Sequence, residues 1–61
     1  MPSISEFTAK AQTLTVDQLI TLGRQLNAMD APHILFDELT TLIFERDGEA
    51  EADRWADETF A

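Results

Sequence analysis

Apolar and polar residues recur with the period of an α-helix along most of the chain, and no stretch alternates long enough to predict a strand. At the start, Ile4, Phe7 and Ala11 share one face of a helix. Ser3 and Glu6 have the spacing of a capping box, which satisfies backbone N–H groups at a helix start. We therefore predict a short amphipathic helix at the beginning of the chain.

A second helix is predicted to begin after Thr15, because Thr15 and Gln18 repeat the capping pattern. Its apolar residues cover about half of the helix circumference, which favours contact with two neighbouring helices. They are Val16, Leu19, Ile20, Leu22, Leu26 and Met29. Gly23 lies inside this stripe, where a glycine lowers helix stability by about 1 kcal/mol relative to alanine. Close approach of another helix would explain it, and simple tolerance of the glycine remains the alternative.

A third helix is predicted after Asp30, the expected N-cap, with Pro32 in the first turn, where a proline is tolerated. The main apolar stripe of this helix consists of Leu35, Phe36, Leu39, Leu42 and Ile43. Gly48 either ends the helix or bends it, and we favour a break.

The third helix also has a second apolar edge, along Ile34, Asp37, Thr41 and Phe44, which are spaced 3, 4 and 3 residues apart. A helix with two apolar edges is either the central element of a fold or uses one edge for a partner. Ile34, Thr41 and Phe44 are therefore our candidate residues for self-association.

Together these patterns predict an all-α fold. We expect a small bundle of three main helices, at about 4–14, 16–29 and 31–47. The second and third helices are expected to pack antiparallel as a hairpin. A shorter acidic helix is expected at about 49–59. Residues 1–61 would form one domain, and residues 49–61 are its acidic C-terminal segment.

Charge narrows the possible partners. The 61 residues include 12 acids and 4 bases, for a net charge of −8. This excess of acid disfavours binding to nucleic-acid phosphates or to an anionic membrane, and it favours a basic protein partner. Acidity that only maintains solubility is the alternative. The longest apolar runs have three residues and no secretion signal is visible, so we expect a cytoplasmic protein. Its small size alone suggests a bacterium or its phage as the source.

The residues available for catalysis are few. The chain has one histidine, His33, one lysine, Lys10, and no cysteine. These residue types do not supply a nucleophile–base pair or a usual zinc site, and no glycine-rich nucleotide loop is present. We expect no enzymatic activity, no metal and no cofactor. His33 is expected to be exposed in the first turn of its helix rather than paired with Asp37.

The C-terminal residues carry the most distinctive pattern. Residues 45–61 contain seven acids and two bases, and three of the acids repeat every four residues, about 6 Å apart on a helix. With an aromatic anchor beside them, they form the predicted partner-binding set of Glu49, Asp53, Trp55, Asp57 and Glu58. In the alternative interpretation, Trp55 and Phe60 complete the core and the acids form a solvated face.

These observations predict a non-enzymatic protein-interaction module. The leading hypothesis is a small acidic inhibitor or regulator that occludes a basic, nucleic-acid-binding protein, as phage inhibitors, nucleic-acid mimics and antitoxins do. The alternative is a helical homodimeric module for structure or assembly, in which acidity provides only solubility.

Overall fold

The structure, a computed structural model, describes residues 4–61 and contains four α-helices in that range. They are α1 (Ile4–Ala11), α2 (Val16–Ala28), α3 (His33–Asp47) and α4 (Glu49–Thr59). No strand is present among these residues, so the predicted all-α class is confirmed. The predicted capping box at the start of α1 includes Ser3, which lies outside the described residues.

The end of α1 is the largest difference between the predicted and observed helix bounds, because the helix ends at Ala11 rather than near residue 14. The next residues form a turn in which the Leu14 N–H donates to the Ala11 carbonyl at 3.0 Å. The backbone then becomes extended at Thr15, the N-cap of α2. The predicted capping box is confirmed there: the Gln18 N–H donates to the Thr15 hydroxyl, and the Thr15 N–H donates to the Gln18 side chain.

Asp30 ends α2 and does not cap α3, which corrects the prediction. Its φ of 56° lies in the left-handed region. The Ala31 N–H donates to the Leu26 carbonyl at 3.0 Å, and the Asp30 N–H donates to the Asn27 carbonyl at 3.1 Å. This pair of bonds is a Schellman motif, which satisfies carbonyls at the C-terminus of α2. Pro32 is the N-cap of α3, without a capping side-chain hydrogen bond.

Gly48 separates α3 from α4, as predicted. Its φ of 98° is accessible to glycine and strained for other residues. Its N–H donates to the carbonyls of Ile43 and Phe44 and so closes α3. Because the connection is one residue long, α4 turns back along α3. The ring of Phe36, near the start of α3, lies 5.3 Å from that of Phe60, just after α4.

The core forms mainly around α4, which packs extensively against both α3 and α2. α2 and α3 also touch, over a smaller area, so the predicted hairpin is not the main contact. α1 packs on α3. The buried apolar residues are Ala11, Val16, Leu19, Ile20, Phe36, Leu39, Leu42, Ile43, Ala52 and Trp55. Met29, predicted to belong to the buried stripe of α2, is instead 74% exposed.

Gly23 is the point of closest approach between α2 and α4. A Cβ at position 23 would lie 2.8 Å from Thr59 Cγ2 and 3.1 Å from Trp55 Cζ2. Of the two explanations for this glycine, the structure supports the close approach of another helix.

Candidate protein-interaction surface

Arg46 has internal partners that hold the α1–α2 connection against α3. Its Nη1 donates to the Gln12 carbonyl at 2.9 Å and to the Leu14 carbonyl at 2.8 Å. Its Nη2 also lies 2.6 Å from an Asp47 carboxylate oxygen. This guanidinium therefore has acceptors on two elements of the fold, and its charge is balanced within the chain.

The other two arginines connect α2 with α4. Arg54 pairs with Asp17 at 2.9 Å, with Glu51 at 3.0 Å and with Glu58 at 3.4 Å. Hydrogen bonds to Asp17 and then to Glu51 raise the pKa of Arg54 above its ordinary value. Arg24 donates from Nε to the Glu58 carbonyl at 3.0 Å. All three arginines are thus bonded to groups within the protein.

Most carboxylates, by contrast, have no such partner. Of the 12 acids, four are ion-paired to arginine, and Glu6 has a contact of its own. Within residues 4–61, the remaining acids form neither a hydrogen bond through the side chain nor an ion pair. They are Asp30, Asp37, Glu38, Glu45, Glu49, Asp53 and Asp57. Six of these seven belong to α3 and α4, so unbalanced negative charge is concentrated on the exposed sides of two neighbouring helices.

Three of the predicted partner-binding residues form a row on α4. Glu49, Asp53 and Asp57 are all exposed, and successive members are four residues apart, about 6 Å along the helix. Glu58 is also exposed, but its carboxylate accepts a hydrogen bond from Arg54 at 3.4 Å. The free acidic row therefore has three members and does not include Glu58.

Trp55 is not available to a partner, which corrects its predicted role as an anchor. The side chain is 0% exposed, and its Nε1 donates to the Leu19 carbonyl at 2.9 Å. The Phe60 ring packs edge-on to the indole at a centroid distance of 6.0 Å and remains 51% exposed. The alternative interpretation of Trp55, as a core residue, is the one that fits this geometry.

The second apolar edge of α3 is exposed. Ile34 is 49% exposed and Phe44 is 53% exposed, with Asp37 and Thr41 also exposed between them. The sequence pattern predicts this edge. The predicted set of binding residues does not include Glu38 and Glu45, whose carboxylates have no partner among residues 4–61. Their position four residues after Ile34 and Thr41, respectively, was a usable signal, since residues at that spacing adjoin on a helix.

The concave regions of the surface offer little for chemistry. One cleft, of about 470 Å³, is open and is lined by one cation, Arg46, which already donates hydrogen bonds to the Gln12 and Leu14 carbonyls. The described residues include no group of three His, Asp or Glu side chains that could hold a metal ion. His33 is exposed, as expected, with its ring 6.2 Å from that of Phe36.

None of the helices in residues 4–61 is long and apolar enough to cross a bilayer. No protein-family model matches the chain, and neither the curated proteins nor the solved structures include a significant match.

Proposed function

We propose that this protein is a non-enzymatic regulator that binds a basic protein and occludes the surface with which that protein contacts nucleic acid. One observation carries the proposal: the three arginines bind groups within the protein, whereas six acids of α3 and α4 have no partner among residues 4–61. A surface with this distribution of charge attracts Lys and Arg without first having to break its own ion pairs.

The acidic row of α4 supplies the main electrostatic contact. Glu49, Asp53 and Asp57 are exposed, so long-range attraction speeds the encounter with a basic patch. Salt screens this attraction, because the Debye length is about 8 Å at physiological ionic strength and about 3 Å at 1 M. Binding through the row should therefore weaken steeply as salt is added.

Inhibition would follow from direct competition. Lys and Arg residues that neutralise phosphates supply much of the affinity of a protein for nucleic acid. When carboxylates on α4 engage those same residues, the phosphates lose their contacts. The protein would then lower nucleic-acid binding by its partner without any covalent step.

A pull-down followed by purified binding assays tests the proposal. Immobilised protein is mixed with nuclease-treated lysate and washed at about 50 mM and about 500 mM salt, concentrations that separate screened from unscreened binding. A captured basic protein is then purified, and its affinity is measured for the wild type and for the E49Q/D53N/D57N variant. We expect the variant to bind more weakly, with a shallower dependence on salt.

The matched control places the same change in charge elsewhere. The T21K/Q25K/A28K variant also raises the net charge of −8 by three, at exposed positions on α2. It should retain most of the affinity, because the row on α4 is intact. Equal losses in the two variants would reduce the effect to net charge alone and would reject the α4 site.

The exposed Ile34 and Phe44 side chains favour a second candidate, a homodimeric assembly module that associates through α3. In that case association should survive high salt, and I34D or F44D should produce monomers. Sedimentation velocity of the wild type and both variants at about 50 mM and about 500 mM salt distinguishes the two candidates.

A further inference from the structure

The outer face of α3, formed by Ile34, Asp37, Thr41 and Phe44, is not covered by any other part of residues 4–61. The opposite side of the helix supplies Phe36, Leu39, Leu42 and Ile43 to the core. Two large apolar side chains are thus held about half exposed on a helix whose backbone is fixed by core packing. Such a preformed apolar surface lowers the entropy cost of binding.

The charged residues of α3 that adjoin this face are acidic. Asp37 lies between the two apolar residues, and the free carboxylates of Glu38 and Glu45 border them on the side of α1. No basic residue occurs from Ile34 to Glu45. A groove of about 170 Å³ between α1 and α3 runs beside the face, and its lining residues are Thr8, Gln12, Glu38, Thr41, Leu42 and Glu45. This groove offers carboxylate, hydroxyl and amide groups to an incoming cationic side chain.

We propose that the outer face of α3 docks a cationic amphipathic helix of the partner. This inference rests on the proposed function and assigns the chemistry of the bound segment. Apolar side chains of that helix cover Ile34 and Phe44, while its flanking Lys and Arg residues reach Asp37, Glu38 and Glu45. In this arrangement Ile34 and Phe44 on α3, and not the buried Trp55, make the apolar contact with the partner.

Helical geometry supports this occupant. Ile34 and Phe44 are ten residues apart, about 15 Å along α3. A partner helix spans the same distance between apolar residues at positions i and i+10 or i+11. Glu38 and Glu45 are seven residues apart, about 10 Å along α3, so Lys or Arg residues at positions i and i+7 of the partner helix recur at the same spacing.

A second copy of this chain fits the face less well. In a symmetric dimer each surface meets itself, so Asp37, Glu38 and Glu45 of one copy would approach the same residues of the other. Each copy also carries a net charge of −8. Like charges brought together in this way oppose association, whereas a cationic helix removes the repulsion among them.

The test uses a synthetic peptide as the probe. The peptide has about 18 residues, with Leu at helical spacings i, i+4, i+7 and i+11 and Lys or Arg on both flanks. A scrambled peptide of identical composition is the control for charge. Titration calorimetry in about 150 mM salt should show that the amphipathic peptide binds at least tenfold more tightly than the scrambled peptide. Amide chemical-shift changes should centre on α3.

Variants of the protein locate the contact. I34S and F44S should each weaken binding of the amphipathic peptide by about tenfold, because each removes an apolar side chain that becomes buried on binding. Both residues are half exposed, so the fold should persist in the variants. M29S removes a side chain that is 74% exposed and lies outside the face, and it should leave the affinity unchanged.

Equal affinity for the two peptides would overturn the inference, as would I34S and F44S variants that bind like the wild type. If the wild type is a dimer that the I34S substitution dissociates, and the protein shows no preference for the amphipathic peptide, the face binds a second copy of this chain. Failure here is distinguishable from failure of the proposed function. If a captured basic protein still responds to E49Q/D53N/D57N and not to I34S or F44S, the acidic row of α4 stands and the α3 inference falls.

Discussion

Gly23 of α2 and Thr59 of α4 approach so closely that a Cβ at position 23 would lie 2.8 Å from Thr59 Cγ2 and 2.9 Å from its Oγ1. Alanine at position 23 would gain about 1 kcal/mol of helix propensity. The clash outweighs this gain, because overpacking a core costs about 1–3 kcal/mol and the Trp55 ring blocks relaxation on the other side. We therefore expect Gly23→Ala to destabilise the protein by up to about 2 kcal/mol in chemical denaturation.

Thr59→Ala provides the control for this prediction, since it removes both atoms nearest to position 23. The double variant should lose less unfolding free energy than the sum of the losses in the two single variants, by about 1 kcal/mol. The Thr59 hydroxyl is itself buried and has no hydrogen-bond partner in the described part of the chain. If the losses of the two single variants simply add in the double variant, contact between Thr59 and position 23 does not cause the destabilisation.

Trp55 should behave as a core residue and not as a binding anchor. Its indole is enclosed and hydrogen-bonded to the Leu19 carbonyl. We expect blue-shifted fluorescence that acrylamide quenches poorly, both in the free protein and in a complex. Trp55→Phe should destabilise the fold by about 2–3 kcal/mol through lost packing and a lost hydrogen bond. Strong quenching in the free protein that disappears on binding would restore the anchoring role.

Asp30 is expected to be a position where glycine stabilises the protein. Its left-handed backbone costs free energy in a residue with a Cβ, and glycine is the preferred residue at this position of a Schellman motif. Asp30→Gly should raise the free energy of unfolding by about 0.5–1 kcal/mol. Asp30→Asn removes the charge and keeps the Cβ, so thermal denaturation of both variants separates the backbone effect from the charge effect. An equal gain in thermal stability in both variants would show that the loss of charge, and not the backbone conformation, is responsible.

Arg46 should stabilise α1 more than the rest of the fold, because it donates to two carbonyls in the α1–α2 connection. Arg46→Ala should cost about 1–2 kcal/mol, and hydrogen exchange should accelerate first in α1. Arg24→Ala, which removes one exposed hydrogen bond to α4, is the matched control and should leave exchange in α1 unchanged. Uniform acceleration across all helices in Arg46→Ala would contradict a local role.

Local sequence patterns were enough to predict the all-α class, the Thr15–Gln18 capping box, the break at Gly48 and the acidic row on α4. Each of these depends on residues within about four positions of one another, which interact directly on a helix. The exposed edge of α3 was also recognisable as a second line of apolar residues. Asp30 was misassigned because one residue can serve the end of one helix or the start of the next, and local pattern does not choose between them.

Local patterns could not show which acids remain free or which aromatic residue is buried, because both depend on contacts between helices. Arg54 and Asp17 are 37 residues apart, and Arg46 reaches the Leu14 carbonyl across 32 residues. Trp55 is enclosed because α4 folds back against α2, where Gly23 leaves room for it. Such pairs form only after the chain has folded on itself, since burial and charge pairing depend on which surfaces meet in space and not on the spacing of residues along a helix.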